Sequence, residues 1–150
     1  MNKDLRIISG GQSGVDRSAL TFGLFFRFNI GGFCPKNRRA EDGPIDNRFP
    51  LQETLEENYQ KRTELNVLCS DATLIIYDRE IDAGTNLTIE TAKKYNKTLM
   101  LFNTQDQPYP IKEWIEQNEI KTLNIAGSRE SNSPGIFAKT YDILKVLLNS

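Results

Sequence analysis

Three observations predict an α/β fold, a doubly wound five-stranded parallel sheet with helices on both faces. Short apolar runs alternate with segments of helical period along the whole chain. The run at 72–77, Ala-Thr-Leu-Ile-Ile-Tyr, is apolar almost without a break, as a central parallel strand covered on both faces requires. Glycine clusters fall where strands would hand over to helices, the ligand edge of such sheets.

The elements are expected in this order. Residues 5–9 form a first strand, and a helix runs from 15 to about 26. Residues 29–33 form a second strand. A polar stretch at 35–50 has no period. A long helix is expected at about 52–67, with Leu55, Tyr59 and Val67 on its buried face. The strand at 72–77 leads through Gly84-Thr85 into a helix ending near 95. A strand at 98–102, a short helix at 111–118 and a fifth strand at 121–125 follow. Ser133 suits the N-cap of the last helix and Pro134 its first turn, with Ile136, Phe137, Tyr141, Leu144 and Leu148 as the apolar stripe. The expected strand order is 2-1-3-4-5. With 150 residues and no repeat or linker, the chain 1–150 reads as a single domain.

Composition narrows the function. Nineteen basic and 20 acidic residues leave a net charge of −1, which speaks against a dedicated nucleic-acid or anionic-membrane surface. Cys34 and Cys69 read as reduced thiols of a cytoplasmic protein, and no leader or long apolar span stands out. There is no histidine, so Ser-His-Asp and Cys-His catalysis and histidine metal sites are excluded.

In the order 2-1-3-4-5 the winding reverses between strands one and three, and a ligand is expected there. Strand one exits through Gly10, Gly11, Gln12, Ser13 and Gly14. Glycines let a ligand approach the backbone, and the next helix start, carrying roughly half a positive charge, favours a phosphate. The loop lacks the Lys-Ser/Thr ending of a P-loop. Its bland alternative is a tight strand-to-helix turn. Strand three exits through Gly84, Thr85 and Asn86, with the last two as capping hydroxyl and amide. A third exit carries Gly127 and Arg129, where Arg129 clamps a phosphate or pairs with a surface acid. The 35–50 stretch reads as a lid bringing Lys36 and Arg38 or Arg39 to an anionic ligand, or as a solvated loop held by its own charges. Arg62 and Asn66 look like a buried polar pair. Counted from a helix start at 52, Arg62 lies about 16 Å down the axis, well below the crevice.

These motifs, Ser-Gly-Gly-Gln-Ser-Gly-Val-Asp-Arg at 9–17, Cys-Pro-Lys-Asn-Arg-Arg-Ala-Glu-Asp-Gly-Pro-Ile at 34–45 and Arg-Thr-Glu-Leu-Asn-Val-Leu-Cys-Ser-Asp-Ala-Thr-Leu-Ile at 62–75, resemble the putative molybdenum carrier family. Gly-Thr-Asn-Leu-Thr at 84–88 and Asn-Ile-Ala-Gly-Ser-Arg-Glu-Ser at 124–131 extend the resemblance over nearly the whole chain. The resemblance implies a Rossmann-like nucleotide-binding fold, molybdopterin or the molybdenum cofactor as ligand, and a homo-oligomer, dimer or tetramer. The fold also resembles the phosphoribohydrolases once labelled lysine decarboxylases, whose loop is Pro-Gly-Gly-x-Gly-Thr-x-x-Glu. Here Thr88 stands at the glutamate position and Glu90 lies about 200° around the helix from it. Asp16 or Asp42 could supply an acid from elsewhere. The expectations are therefore a carrier of a small phosphate-bearing anion, with a nucleotide-processing enzyme or a nucleotide sensor as alternatives.

Overall fold

The computed structural model describes residues 4–148. Five parallel strands make the main sheet: β1 (Arg6–Ile8), β2 (Asn29–Gly31), β5 (Ala72–Tyr77), β6 (Thr98–Asn103) and β7 (Thr122–Gly127). A second, two-stranded parallel sheet pairs β3 (Phe33–Cys34) with β4 (Gln52–Glu53). The helices are α1 (Val15–Phe25), α2 (Tyr59–Leu68), α3 (Ala83–Lys94), α4 (Tyr109–Gln117) and α5 (Ile136–Leu148).

Alternation along the strands builds two layers. Leu74 and Ile76 of β5 and Leu123 and Ile125 of β7 enter the main core with Val15, Ala19 and Phe22 of α1 and Ile136 and Leu144 of α5. Phe22 anchors an aromatic cluster, its ring centroid 4.8 Å from Phe26, 5.5 Å from Phe28 and 6.0 Å from Tyr141. The intervening residues Thr73 and Asn124 point the other way, and α2 packs against α3.

The strand order is β2-β1-β7-β5-β6, not the expected 2-1-3-4-5. The fifth strand of the sequence reading, β7, lies between the first and the third, pairing Leu123 with Ile7 and Ile125 with Leu74. The asparagine in the middle of Thr-Leu-Asn-Ile-Ala-Gly made this strand look peripheral. It is central nonetheless: the Asn124 amide nitrogen donates across the ladder to Thr73 Oγ1 at 3.2 Å, which offsets part of the cost of burying the side chain. If β7 is counted first, the order becomes 3-2-1-4-5, that of a dinucleotide-binding sheet. The fold is thus a Rossmann arrangement whose first strand and helix have moved to the end of the chain.

Two helix starts also differ from expectation. Residues 52–53 form strand rather than helix: Gln52 N donates to Gly32 O and Thr54 N to Cys34 O, and this ladder outweighs the helical propensity of the Gln-Glu run. Asn58 then caps α2, accepting from Lys61 N, so the helix begins seven residues later than expected and Leu55 is exposed rather than buried. At α5, Ser133 and Pro134 precede a glycine with φ of +91°. The first-turn amides of Gly135 and Phe137 are bound instead by the Glu130 carboxylate, at 2.7 and 3.0 Å. Among the described residues no helix is long and apolar enough to cross a membrane.

Candidate functional site

In the permuted order the winding reverses between β7 and β5, so the crevice lies between their exits, with the β1 exit as a third wall. After Tyr77 the chain reaches Asp82, whose carboxylate caps α3 by accepting from Thr85 N at 2.8 Å. Its other oxygen accepts from Arg129 N at 3.4 Å and from Asn132 Nδ2 at 3.0 Å, which ties the β5 and β7 exits together. Burial works against that charge, but these hydrogen bonds outweigh it and hold the Asp82 carboxyl below the usual range.

Because α2 starts at Tyr59, Arg62 stands in its first turn at the ligand edge, not 16 Å below it. The guanidinium is buried at 8% exposure, donates to Gly10 O at 2.9 Å and lies 3.6 Å from the Asp16 carboxylate. The backbone amides of Gln12 and Gly127 also favour the charged form of Asp16. The anion beside the glycine loop is therefore the protein's own Asp16, paired with Arg62. Burial raises the Asp16 carboxyl to about 6, although Arg62 and the two amides pull it down. Other amides of the loop are taken too: Ser13 N by Gln12 Oε1 and Val15 N by Ser128 O.

Three cations face one ring. The guanidinium carbons of Arg62, Arg39 and Arg129 lie 5.0, 5.1 and 5.4 Å from the Tyr59 ring centroid, cation–π distances. Around the same crevice, three buried polar atoms have no protein partner: Gln12 Nε2, Thr85 Oγ1 and Asn124 Oδ1. Their residues are 5%, 2% and 2% exposed. Unsatisfied polar atoms this deeply buried call for water or a ligand. The crevice encloses about 60 Å³, enough for a few waters and far below the roughly 300–1,000 Å³ of a small-molecule site.

Of the residues singled out from the sequence, Gly10, Gln12, Gly84, Thr85, Gly127 and Arg129 line the crevice. Gly11 sits beneath the 35–50 segment, where a Cβ would meet Ile45 and Leu51. Ser13 and Gly14 face an outer groove, and a Cβ on Gly14 would stand 2.3 Å from Ser128 O. Asn86 is exposed on α3, and the helix cap is Asp82 rather than Thr85 or Asn86. Lys36 and Arg38 are not brought to the crevice. Lys36 is exposed, while Arg38 spends its guanidinium on the carbonyls of Ile45, Asp46, Phe49 and Leu51. That strut orders the 35–50 segment, and a small core of its Ala40, Ile45 and Phe49 with Leu20 of α1 and Cys34 of β3 anchors it to the fold. Burial pushes the Cys34 thiol up, so it is not a thiolate ligand at neutral pH.

Moving the last strand to the front restores a Rossmann order, the mark of a circular permutation. The chain belongs to the circularly permutated YpsA SLOG family, whose profile matches residues 7–148. Its structure is similar to the crystal structure of a putative molybdenum carrier protein from Syntrophus aciditrophicus SB, at 40% identity and a TM-score of 0.92, covering 95% of this chain and 94% of that one. The family resemblance read from the motifs therefore holds. No curated protein matches the chain. Sequence reasoning did not assign Tyr59 or Asp82 to the ligand site, offered Asp16 only as an acid for the alternative reading, and misplaced Arg62. The available signal was the Asn58-x-x-Lys start, which sets α2 by its cap.

Proposed function

We propose that the crevice binds a small phosphate-bearing cofactor, molybdopterin or the molybdenum cofactor, and that the protein carries it without transforming it. The observation that carries this reading is the set of unpartnered buried atoms between two arginines. Gln12 Nε2, Thr85 Oγ1 and the guanidiniums of Arg62 and Arg129 are donors suited to a phosphate. The Asp82 carboxylate and Asn124 Oδ1 are acceptors suited to the ring N–H groups of a pterin. The open backbone at Gly84, where a Cβ meets only Asp82 Oδ1 at 3.9 Å, gives the ligand room to approach α3. These donors and acceptors address the organic part of the cofactor, its phosphate and its pterin ring. Bound in its molybdenum form, the cofactor would supply a molybdenum centre for transfer to a recipient enzyme. The name of the structural neighbour supports this ligand, and Thr88 at the position of the phosphoribohydrolase glutamate supports carriage over hydrolysis. The same reading has the protein working as a cytoplasmic homo-oligomer.

A crevice of this size has to widen to admit the ligand, and Tyr59, with the arginines on its ring, is the wall that would move. Native mass spectrometry of gently purified protein, followed by denaturation and identification of the released molecule, tests the reading and the subunit count together. A pterin phosphate is the expected result. A nucleotide or ribose phosphate in its place would overturn it.

One observation favours a second reading, hydrolysis of a nucleoside monophosphate. Asp16 lines the crevice with its carboxyl at about 6, within the working range of a general acid. Release of free base that disappears in Asp16→Asn would establish it, and no product across a nucleotide panel would remove it.

A further inference from the structure

On the outer side of the β1 and β7 exits, four donors converge on the carboxylate of Glu41. Ser13 Oγ and Ser131 N, the latter at 3.2 Å, donate to one oxygen. Ser131 Oγ donates to the other at 2.6 Å, with Arg129 Nη1 3.7 Å away. Ser13 Oγ accepts from Glu130 N at 3.1 Å, which leaves its own proton for Glu41. Every group around this carboxylate is a donor or a cation, and all come from strand exits at the ligand edge. Glu41 itself comes from the 35–50 segment, which packs through Ala40, Ile45 and Phe49 on Leu20 of α1.

We propose that Ser13, Ser131 and Arg129 form a binding site for a tetrahedral oxyanion, a phosphate group or an inorganic oxyanion, in which Glu41 sits as a displaceable stand-in. A carboxylate presents two oxygens on one edge, and so does a tetrahedral oxyanion. The site is reached from outside, through a groove of about 730 Å³ bordered by Arg17, Asp42, Glu130 and Phe137, without passing the crevice. Neither acid on this groove is unpaired: Asp42 is bound by both terminal nitrogens of Arg17 at 3.0 Å, and Glu130 caps α5. Asp16 sits beside the glycine loop from within a helix and cannot withdraw. Glu41 can, because it reaches the seat from a loop: the polar ties of 35–50 to the exits are this carboxylate, Gln12 Oε1 accepting from Glu41 N at 2.8 Å and the Arg17–Asp42 pair, while Ala40, Ile45 and Phe49 keep the segment packed on Leu20 of α1 when the side chain rotates away. The proposal does not depend on what the crevice binds.

Calorimetric titration of the full chain with inorganic phosphate and with molybdate, at pH 7 and low salt, tests it. Glu41→Ala vacates the seat and is expected to bind at least one of the two at least tenfold more tightly than the wild type. Adding Ser131→Ala to Glu41→Ala is expected to abolish that gain. A gain for phosphate alone assigns the seat to a phosphate group, a gain for molybdate alone to a metal oxyanion, and a gain for both to charge and shape. No gain in Glu41→Ala, or a gain that survives the loss of Ser131, overturns the proposal. If Glu41→Ala does not fold, hydrogen exchange of wild-type lid amides at 38–50 decides. Phosphate or molybdate should accelerate it, and absence of acceleration refutes the seat.

Discussion

Gly14 and Gly84 are both glycines at the start of a crevice helix, yet the structure assigns them opposite roles, and alanine substitution separates them. Gly84 lies within α3, and the nearest atom to a new Cβ is Asp82 Oδ1 at 3.9 Å. Gly84→Ala therefore adds no clash and removes unfolded-state entropy, a gain of about 0.5 kcal/mol, or roughly 1–2 °C in Tm for a chain of this size. The new methyl group points into the space through which a ligand approaches the helix, so ligand affinity should fall at least tenfold, about 1.4 kcal/mol. Gly14 has φ of +81°, and its Cβ would stand 2.3 Å from Ser128 O and 2.8 Å from Glu130 N. The left-handed conformation alone costs about 1–2 kcal/mol, and moving the β7 exit adds to it. A loss of about 3 kcal/mol lowers Tm by roughly 6–12 °C. Thermal melts and titration with the cofactor identified by mass spectrometry read both variants. Lost binding in Gly14→Ala would say nothing about a phosphate at the glycine loop, because the fold itself is disturbed. Unchanged affinity in Gly84→Ala would refute the placement of the ligand at α3, and a fall in Tm of several degrees would refute the geometry of that turn.

The Asp16 carboxyl is raised by burial to about 6 from 3.8, so the folded state holds its proton more tightly than the unfolded chain. Stability from this group is full below pH 4 and is lost as pH rises to about 6, a change of about 3 kcal/mol at 1.36 kcal/mol per unit. Urea melts of wild type and Asp16→Asn should show that difference in slope between pH 4 and 6, and parallel curves would contradict it. Arg62→Met leaves Asp16 buried without its cation and should cost about 3–5 kcal/mol near pH 7, less at pH 4.5, where the proton replaces the partner. Chemical denaturation at the two pH values checks this. Arg38→Lys keeps the charge but loses the fork that spans four carbonyls, so hydrogen exchange at 45–51 should quicken while the crevice is unaffected. Unchanged exchange there would show that the lid does not depend on the strut. Glu41 is held below its ordinary carboxyl value: burial pushes it up, but Ser13 and Ser131 outweigh burial. The latch should therefore persist at neutral pH and release as pH falls through that lowered value, seen as lid exchange rising only in strong acid.

Sequence carried most of the fold because alternation and apolar runs report burial, and burial defines the sheet. It failed where polar residues are buried with a partner. Asn124 concealed a central strand, since nothing local shows that Thr73, 51 residues away, will accept its amide. The 52–58 segment failed for a related reason: a two-residue ladder with Phe33–Cys34 is a long-range fact, whereas helix propensity is a local one. Gly10, Gln12, Gly84, Thr85, Gly127 and Arg129, expected at the ligand site, all line the crevice from strand exits or the helix starts that follow them. Lys36 and Arg38 do not, because a positive charge in a loop satisfies loop carbonyls as readily as ligands.

The glycine-rich loop shows most clearly why a motif reports geometry before it reports a ligand. Gly10 leaves room for the Arg62 guanidinium, Gly11 for Ile45 and Leu51, and Gly14 for the Ser128 carbonyl. Each absent Cβ is accounted for by the protein itself. The anion that such a loop attracts is also present, as Asp16 inside and as Glu41 outside. An internal carboxylate at such a loop lowers the net affinity for an external anion, because the ligand has to displace a charge that is already solvated by hydrogen bonds. What separates the two seats is attachment. Asp16 is fixed in the first turn of α1, whereas Glu41 reaches the strand exits from a loop. Under the proposal above, the outer seat exchanges its anion by rotation of that side chain, and the inner seat keeps its own. Arg129 stands between the two, its guanidinium 3.7 Å from Glu41 on one side and 5.4 Å from the Tyr59 ring centroid on the other.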